Sequence, residues 1–224
     1  MTGISDKAEQ FIVAQEDGSE SYYDRTEAHF DWPGGASGPT VAVGYDLGYC
    51  TVKECMEDWG NIIPGSAIQV LLGGVGLTGD QAHMWVQEHR TDVTITWAEA
   101  LQEFHERELP KWETRVKLVL PNYDLLSPDC KGAIVSLSYN RGTGGYNSNL
   151  PRNTEMVQIK AAMVAQKYEL IPGLIKSMIR LWPNVTDLRQ RRILEANLFA
   201  GGLSECVKTS PASSSPPPSD APSV

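Results

Sequence analysis

The hydrophobic positions change their period once along the chain, near residue 50. Before that point Ala8, Phe11, Ile12 and Ala14 recur at helical spacing behind Asp6, a residue able to cap, and they predict one short helix from Asp6 to Glu16. Beyond the break at Asp17-Gly18, the stretch SESYYDRTEAHFDWPGGASGPTVAVGY mixes turn formers with aromatic and β-branched residues. Strand propensity at Tyr22-Tyr23 and from Thr40 to Val43, on either side of a long turn holding Pro33, Gly34, Gly35 and Gly38, predicts a small hairpin or ribbon.

From residue 50 onward the period is helical and each piece carries its own punctuation. The pattern predicts helices over Thr51 to Trp59, over Pro64 to Leu72 with a stop at Gly73-Gly74, and from Thr78 or Asp80 to about Arg90. Thr96 and Glu99 form a capping box that opens a long helix broken or bent at Pro110. Ser127-Pro128 is an N-cap followed by proline at the first helical position, introducing an apolar helix through Ile134, Val135 and Leu137 to Tyr139. Asn153 to Gln166, Tyr168 to Leu181 and Thr186 to Ala200 complete the set, the last closed by a left-handed cap at Gly201-Gly202.

The predicted class is therefore α+β, with about eight helices, one small sheet and no internal repeat. One domain is expected over residues 1–206, with a ribbon lobe at about 17–49 and a helical lobe at about 50–202. From Val207 the composition turns to Pro, Ser and Ala with little to bury, so 207–224 reads as a flexible or polyproline-like tail.

Composition narrows the function classes. With 224 residues, 41% of them hydrophobic, the chain can bury a core. Cys50, Cys55, Cys130 and Cys206 are too few for a disulfide scaffold and have no histidine at metal-ligand spacing, so they read as small buried hydrophobes, and neither a metal nor a cofactor is predicted. The four histidines, His29, His83, His89 and His105, share no spacing and read as surface or packing residues. No apolar run approaches the roughly 20 residues of a membrane span, and the first 20 residues lack the basic start and apolar stretch of a secretion signal.

Net charge is −9, split into −12 over residues 1–150, +4 over 151–208 and −1 from Asp220. That balance argues against nucleic acid as a partner, which needs a concentrated basic face.

A helix ending in a carboxylate, followed at once by a Gly-rich ribbon bearing Thr and Asp, suits acid chemistry in a cleft. Glycosidic cleavage needs one protonated carboxyl for the leaving oxygen and a second charged group for the water or the oxocarbenium ion. Strand alternation puts Thr40, Ala42, Gly44 and Asp46 on one face, with small residues between the polar ones. A straight strand would separate Thr40 from Asp46 by about 20 Å, so the ribbon must bend, and Gly44 is the residue that permits it. The alternative reading of Asp46 is as the cap of the helix at Thr51 or a turn residue after the strand.

Five segments in order, FIVAQEDGSESYYD (11–24), WPGGASGPTVAVGYDLGY (32–49), LTGDQA (77–82), GAIVSLSYNRGTG (132–144) and LRQRRILEANLF (188–199), resemble the phage lysozymes. The resemblance is to the branch that includes the catalytic domain of pesticin and many phage endolysins. It spans about residues 5–202 and implies a lysozyme-like fold that cuts the β-1,4 bond between N-acetylmuramic acid and N-acetylglucosamine in bacterial peptidoglycan. It further implies a monomer without stable membrane insertion, held in the host cytoplasm until a holin releases it.

Carried over by motif, Glu16 would be the general acid, Thr40 would position the attacking water and Asp46 would be the second carboxylate. Tyr45, Tyr139 and Asn140 would contact substrate, with Asn140 bonding an N-acetyl group or Glu16. In the better-known phage lysozymes the second acid lies between the Glu and the Thr, where this chain offers Asp24, Glu27 and Asp31. Asp31 is the alternative to Asp46. Trp32 could stack on a sugar or clasp the hairpin, and one of Arg189, Arg191 and Arg192 could pair with the ribbon acids or with the anionic wall. A lytic transglycosylase, which needs only the Glu, and a catalytically silent wall-binding protein are the competing readings.

Overall fold

A computed structural model describes residues 2–16 and 18–209, with side chains through residue 206. It is mostly helical, at 71%, with one two-stranded antiparallel sheet, in agreement with the α+β expectation. Most of the expected tail, from residue 210, lies outside the described residues.

The N-terminal region holds α1 (Asp6–Glu16), α2 (Glu20–Thr26), β1 (Thr40–Val41) and β2 (Tyr45–Asp46). The helix α2 corrects the predicted strand at Tyr22-Tyr23. Ser19 caps it by accepting from the Tyr22 amide, which commits the chain to a helical start whatever the β-propensity of two tyrosines. Tyr23 is then buried against Trp97, and its hydroxyl donates to the Ile95 carbonyl at 3.0 Å.

The strand predicted from Thr40 to Val43 ends at Val41, because Ala42 (φ +55°) and Gly44 (φ +72°) turn the chain back on itself. Gly44 thus sits in the bend the sequence required. Thr40 pairs with Asp46 and Val41 with Tyr45, so the two polar residues are cross-strand neighbours.

The helical part comprises α3 (Val52–Trp59), α4 (Gly65–Gly74), α5 (Gly79–His89), α6 (Trp97–Glu103), α7 (Leu109–Val119), α8 (Pro128–Arg141), α9 (Thr154–Val164), α10 (Ile171–Ser177) and α11 (Thr186–Thr209). Thr51 heads α3 with a complete capping box, as Thr96 heads α6, and Cys50 and Cys55 occupy the positions before and after it that form a hydrophobic staple. The break expected at Pro110 is a π-helical segment, Phe104–Glu108, joining α6 to α7. Its wider turn spares the clash a proline imposes on the carbonyl four residues earlier. The helix expected over Tyr168 to Leu181 is α10 flanked by 3₁₀ turns, with Pro172 near its start.

The helix α4 ends at Gly74, on its expected stop, whereas α11 passes through Gly201-Gly202 to Thr209, past the expected end of the domain core. One glycine of each pair also serves packing. A Cβ at Gly74 would lie 3.0 Å from Leu47 and 3.3 Å from Trp85, and one at Gly202 would lie 2.5 Å from the Ser127 hydroxyl and 3.0 Å from the Cys130 amide.

The core centres on α8, whose residues Gly132 to Ser138 are all buried, with α1, α7 and α11 packed around it. A Cβ at Gly132 would stand 2.1 Å from that of Ala8 on α1. Gly132→Ala should therefore push α1 outward and destabilise the fold by about 1–3 kcal/mol, the usual range for overpacking, despite alanine's better helix propensity. Urea denaturation checks this, as a lower midpoint at constant slope. No helix among the described residues is long and apolar enough to cross a membrane.

Candidate active site

Thr40 is the centre of a three-residue row. Its N–H donates to the Asp31 carbonyl at 2.8 Å and its carbonyl accepts from the Asp31 N–H at 2.9 Å. Those groups face Asp31, so the pairing of Thr40 with Asp46 is the non-hydrogen-bonded kind, in which side chains approach most closely. Residues directly opposed share a face, and both candidate second carboxylates therefore flank the same threonine. The Thr40 hydroxyl donates to the Gly38 carbonyl at 3.3 Å.

Asp46 also meets its alternative reading as a turn residue, while the helix expected from Thr51 is capped by Thr51 itself. Asp46 Oδ1 accepts from the Gly48 amide at 2.9 Å, capping the 3₁₀ turn Leu47–Tyr49, and from the Gly38 amide at 3.0 Å. Gly38 and Gly48 approach so closely that a Cβ on Gly38 would lie 2.2 Å from the Gly48 nitrogen. Burial pushes the Asp46 carboxyl above its ordinary range, against the pull of the Gly48 and Gly38 amides. Near Asp31, burial and then the Asp31 charge raise Glu27.

Asp46 lines a cavity of about 320 Å³ between the ribbon and α7 and α8. Gly44, Tyr45, Tyr49 and Tyr139 line it from the ribbon side and from α8, and Lys111, Trp112 and Arg115 form its α7 wall, with Glu108 at the end of the π-helical segment beside them. The Tyr139 hydroxyl donates to the Val43 carbonyl at 2.7 Å, fastening the end of α8 to the ribbon turn. Tyr45 is buried edge-on to Trp59, and its hydroxyl donates to Asp58 at 2.8 Å, which is also ion-paired to Lys111. Burial, followed by the neighbouring Cys50 thiol and Asp58, holds the Tyr45 phenol far up from its ordinary range.

Sequence reasoning missed the α7 wall. Residues 108, 111, 112 and 115 share one helical face, a spacing usually searched for apolar residues and here occupied by charge and one indole. The Arg115 guanidinium lies 4.8 Å from the Trp112 ring.

Glu16 is not among the described residues lining that cavity. It ends α1 and lines a second one, of about 400 Å³, with Tyr22, Asp187, Gln190 and Leu194. Its Oε1 is 2.6 Å from Nη1 of Arg191 on α11. Of the three arginines singled out, Arg191 thus pairs with an acid of α1 instead of the ribbon. Arg192 is fully buried, and Arg189 is exposed, donating to the Pro183 carbonyl.

Behind Arg191 stands a buried network. Glu195, with 0% exposure, accepts from Arg191 Nε at 3.2 Å, Arg192 Nη2 at 2.8 Å and the Ser136 hydroxyl at 2.8 Å. Arg191 also donates to the Ser136 carbonyl. Trp182 lies against the guanidinium groups of Arg141 and Arg192, at 5.2 and 5.5 Å. The i, i+3 and i, i+4 spacing of Glu195 to the two arginines was the available signal.

The remaining candidates fall on either side of the site. Asn140 is exposed on the last turn of α8. Trp32 stacks on His83 at 4.4 Å and its indole N–H donates to the Ser37 carbonyl, so it clasps the ribbon. The other histidines bond to Val93, Asp92 and Glu9. No group of three or more His, Cys, Asp or Glu among the described residues could hold a metal ion.

No curated protein matches the chain. One family model does, over residues 10–167, which carry Glu16, the ribbon, the α7 wall and α8, while Arg191 lies beyond its end. That match spans more than two thirds of the sequence and every element that lines the Asp46 cavity, and the chain belongs to the family described as "Domain of unknown function (DUF8812)".

Proposed function

We propose that the chain adopts a lysozyme-like fold and hydrolyses the β-1,4 bond between N-acetylmuramic acid and N-acetylglucosamine in bacterial peptidoglycan, as an endolysin muramidase. The observation that carries this reading is the row Asp31, Thr40 and Asp46 on one face of a bent ribbon, beside a cavity walled by Tyr49, Trp112 and Tyr139. Aromatic faces suit the apolar faces of sugar rings.

In this scheme Glu16 delivers the proton to the leaving oxygen. Arg191, itself gripped by Glu195, holds the carboxyl through Oε1, which leaves Oε2 to carry the proton. Thr40 orients the water, since its hydroxyl both donates and accepts. Asp46 is the second carboxylate, because it lines the cavity and Asp31 does not. The two amides on its Oδ1 hold it in place without depending on its charge.

Digestion of purified murein followed by mass spectrometry of the products tests the reading. Reducing ends are expected; anhydro ends would indicate a transglycosylase, and undigested murein a wall-binding protein. Asp46→Asn and Asp31→Asn, assayed side by side, test the site. In Asp46→Asn the side-chain carbonyl oxygen can still accept from both amides, so this variant should melt within a few degrees of the parent yet lose activity at least tenfold. Asp31→Asn should keep most of its activity. The reverse pair of results assigns the role to Asp31.

A further inference from the structure

Cys130 and Cys206 stand 76 residues apart in sequence, yet their sulfurs are 3.3 Å from one another. Cys130 lies in the first turn of α8 and Cys206 near the end of α11, both at 1% exposure or less. The helices meet there because Gly202, one turn before Cys206, has no side chain to hold them apart. We propose that Cys130 and Cys206 form a disulfide, closed by exchange with a small disulfide oxidant of the glutathione class, that staples the end of α11 to the start of α8.

The geometry needs little change. A disulfide requires sulfurs at about 2.0 Å, so closure draws the two together by about 1.3 Å, within the reach of side-chain rotation and slight helix movement. The Ser127 amide donates to Cys206 Sγ at 3.1 Å, and Cys130 Sγ lies 3.2 Å from the Phe199 carbonyl. In the docked helices, with Cys130 and Ser127 beside it, the Cys206 thiol is lowered.

In the reaction the Cys206 thiolate attacks one sulfur of the oxidant R–S–S–R, forming a mixed disulfide and releasing one R–S⁻, which takes up a proton. Cys130, having given its proton to solvent, attacks Cys206 Sγ and displaces the second R–S⁻. Two protein thiols are oxidised, the oxidant is reduced to two R–SH, and the protons balance. Both sulfurs are buried in the folded chain, so the exchange takes place during folding, before α11 docks. The other pair, Cys50 and Cys55, is held at the helix-staple positions of α3 and contributes no tie between distant segments.

The test is made on the full chain, unfolded in reducing denaturant and refolded in a buffer of reduced and oxidised glutathione. After alkylation and digestion without reductant, a peptide pair joining Cys130 to Cys206 is expected as the main cysteine-containing product, with two of the four thiols protected from alkylation. The melting temperature of that product should fall by on the order of 10 °C when reductant is added, as the closure of so long a loop requires. A Cys50→Ser/Cys55→Ala double variant should keep both the linked peptide and the shift. Four alkylated cysteines, a stable glutathione adduct on Cys206, or a link confined to Cys50 and Cys55 would each overturn the proposal. The outcome is independent of muramidase activity, which the murein digest reports separately.

Discussion

Glu16→Gln is expected to lower the lysis of outer-membrane-permeabilised cells by about 10²–10⁴-fold, the contribution typical of a general acid. Glutamine has the same shape, still presents an oxygen to Arg191 and cannot deliver the proton. Arg191 retains Glu195 and the Ser136 carbonyl as acceptors, so its buried charge stays partnered in the variant. Folding should accordingly be nearly unaffected, and a thermal melt within a few degrees of the parent separates loss of chemistry from loss of structure. Activity above about a tenth of the parent would remove Glu16 from the mechanism.

Glu195→Ala is expected to have the largest effect on stability. It leaves Arg192, fully buried, without the carboxylate at 2.8 Å, and strips Arg191 of one of its anchors. Removing one partner of a buried ion pair costs about 3–5 kcal/mol, which in a chain of this size lowers the melting temperature by roughly 10 °C. The network does not stabilise by its charges alone. Burial raises the Glu195 carboxyl despite both arginines, and lowers Arg192 to about 10 despite Glu195, so desolvation outweighs attraction on both sides. Its use is to fix Arg191, and through it Glu16. The triple variant Arg191→Leu/Arg192→Met/Glu195→Leu should therefore recover much of the stability and none of the activity; recovery of lysis would show that Glu16 needs no such support.

What the sequence made legible follows from the range of the forces involved. Caps at Thr51, Thr96 and Ser127 depend on three or four neighbouring residues, and each helix begins where its cap predicts. Gly44 was identifiable because a flat strand cannot bring Thr40 and Asp46 together. The glycine pair at 201-202 was misread for the opposite reason. Whether a glycine ends a helix or admits a neighbour depends on what packs against it, here the first turn of α8, which local sequence does not contain. Tyr22-Tyr23 shows the same limit, since the partner of Tyr23 lies 72 residues away at Ile95.

In the site, the ribbon residues were legible from their motif. The separation of Glu16 from the Asp46 cavity, and the charged face of α7, emerged only once α1, α7 and α11 were placed around α8.

The π-helical segment before α7 sets the azimuth of everything downstream. Its hydrogen bonds reach back five residues where a regular α-helix reaches back four, so the wider turn absorbs one extra residue and leaves Lys111, Trp112 and Arg115 at the azimuth of an unbroken helix. Losing one residue between 104 and 108 would thus restore a regular helix with the same face toward the ribbon, whereas a further residue with no second wide turn to absorb it would rotate that face by about 100° and redirect what the cavity presents without touching a single lining side chain.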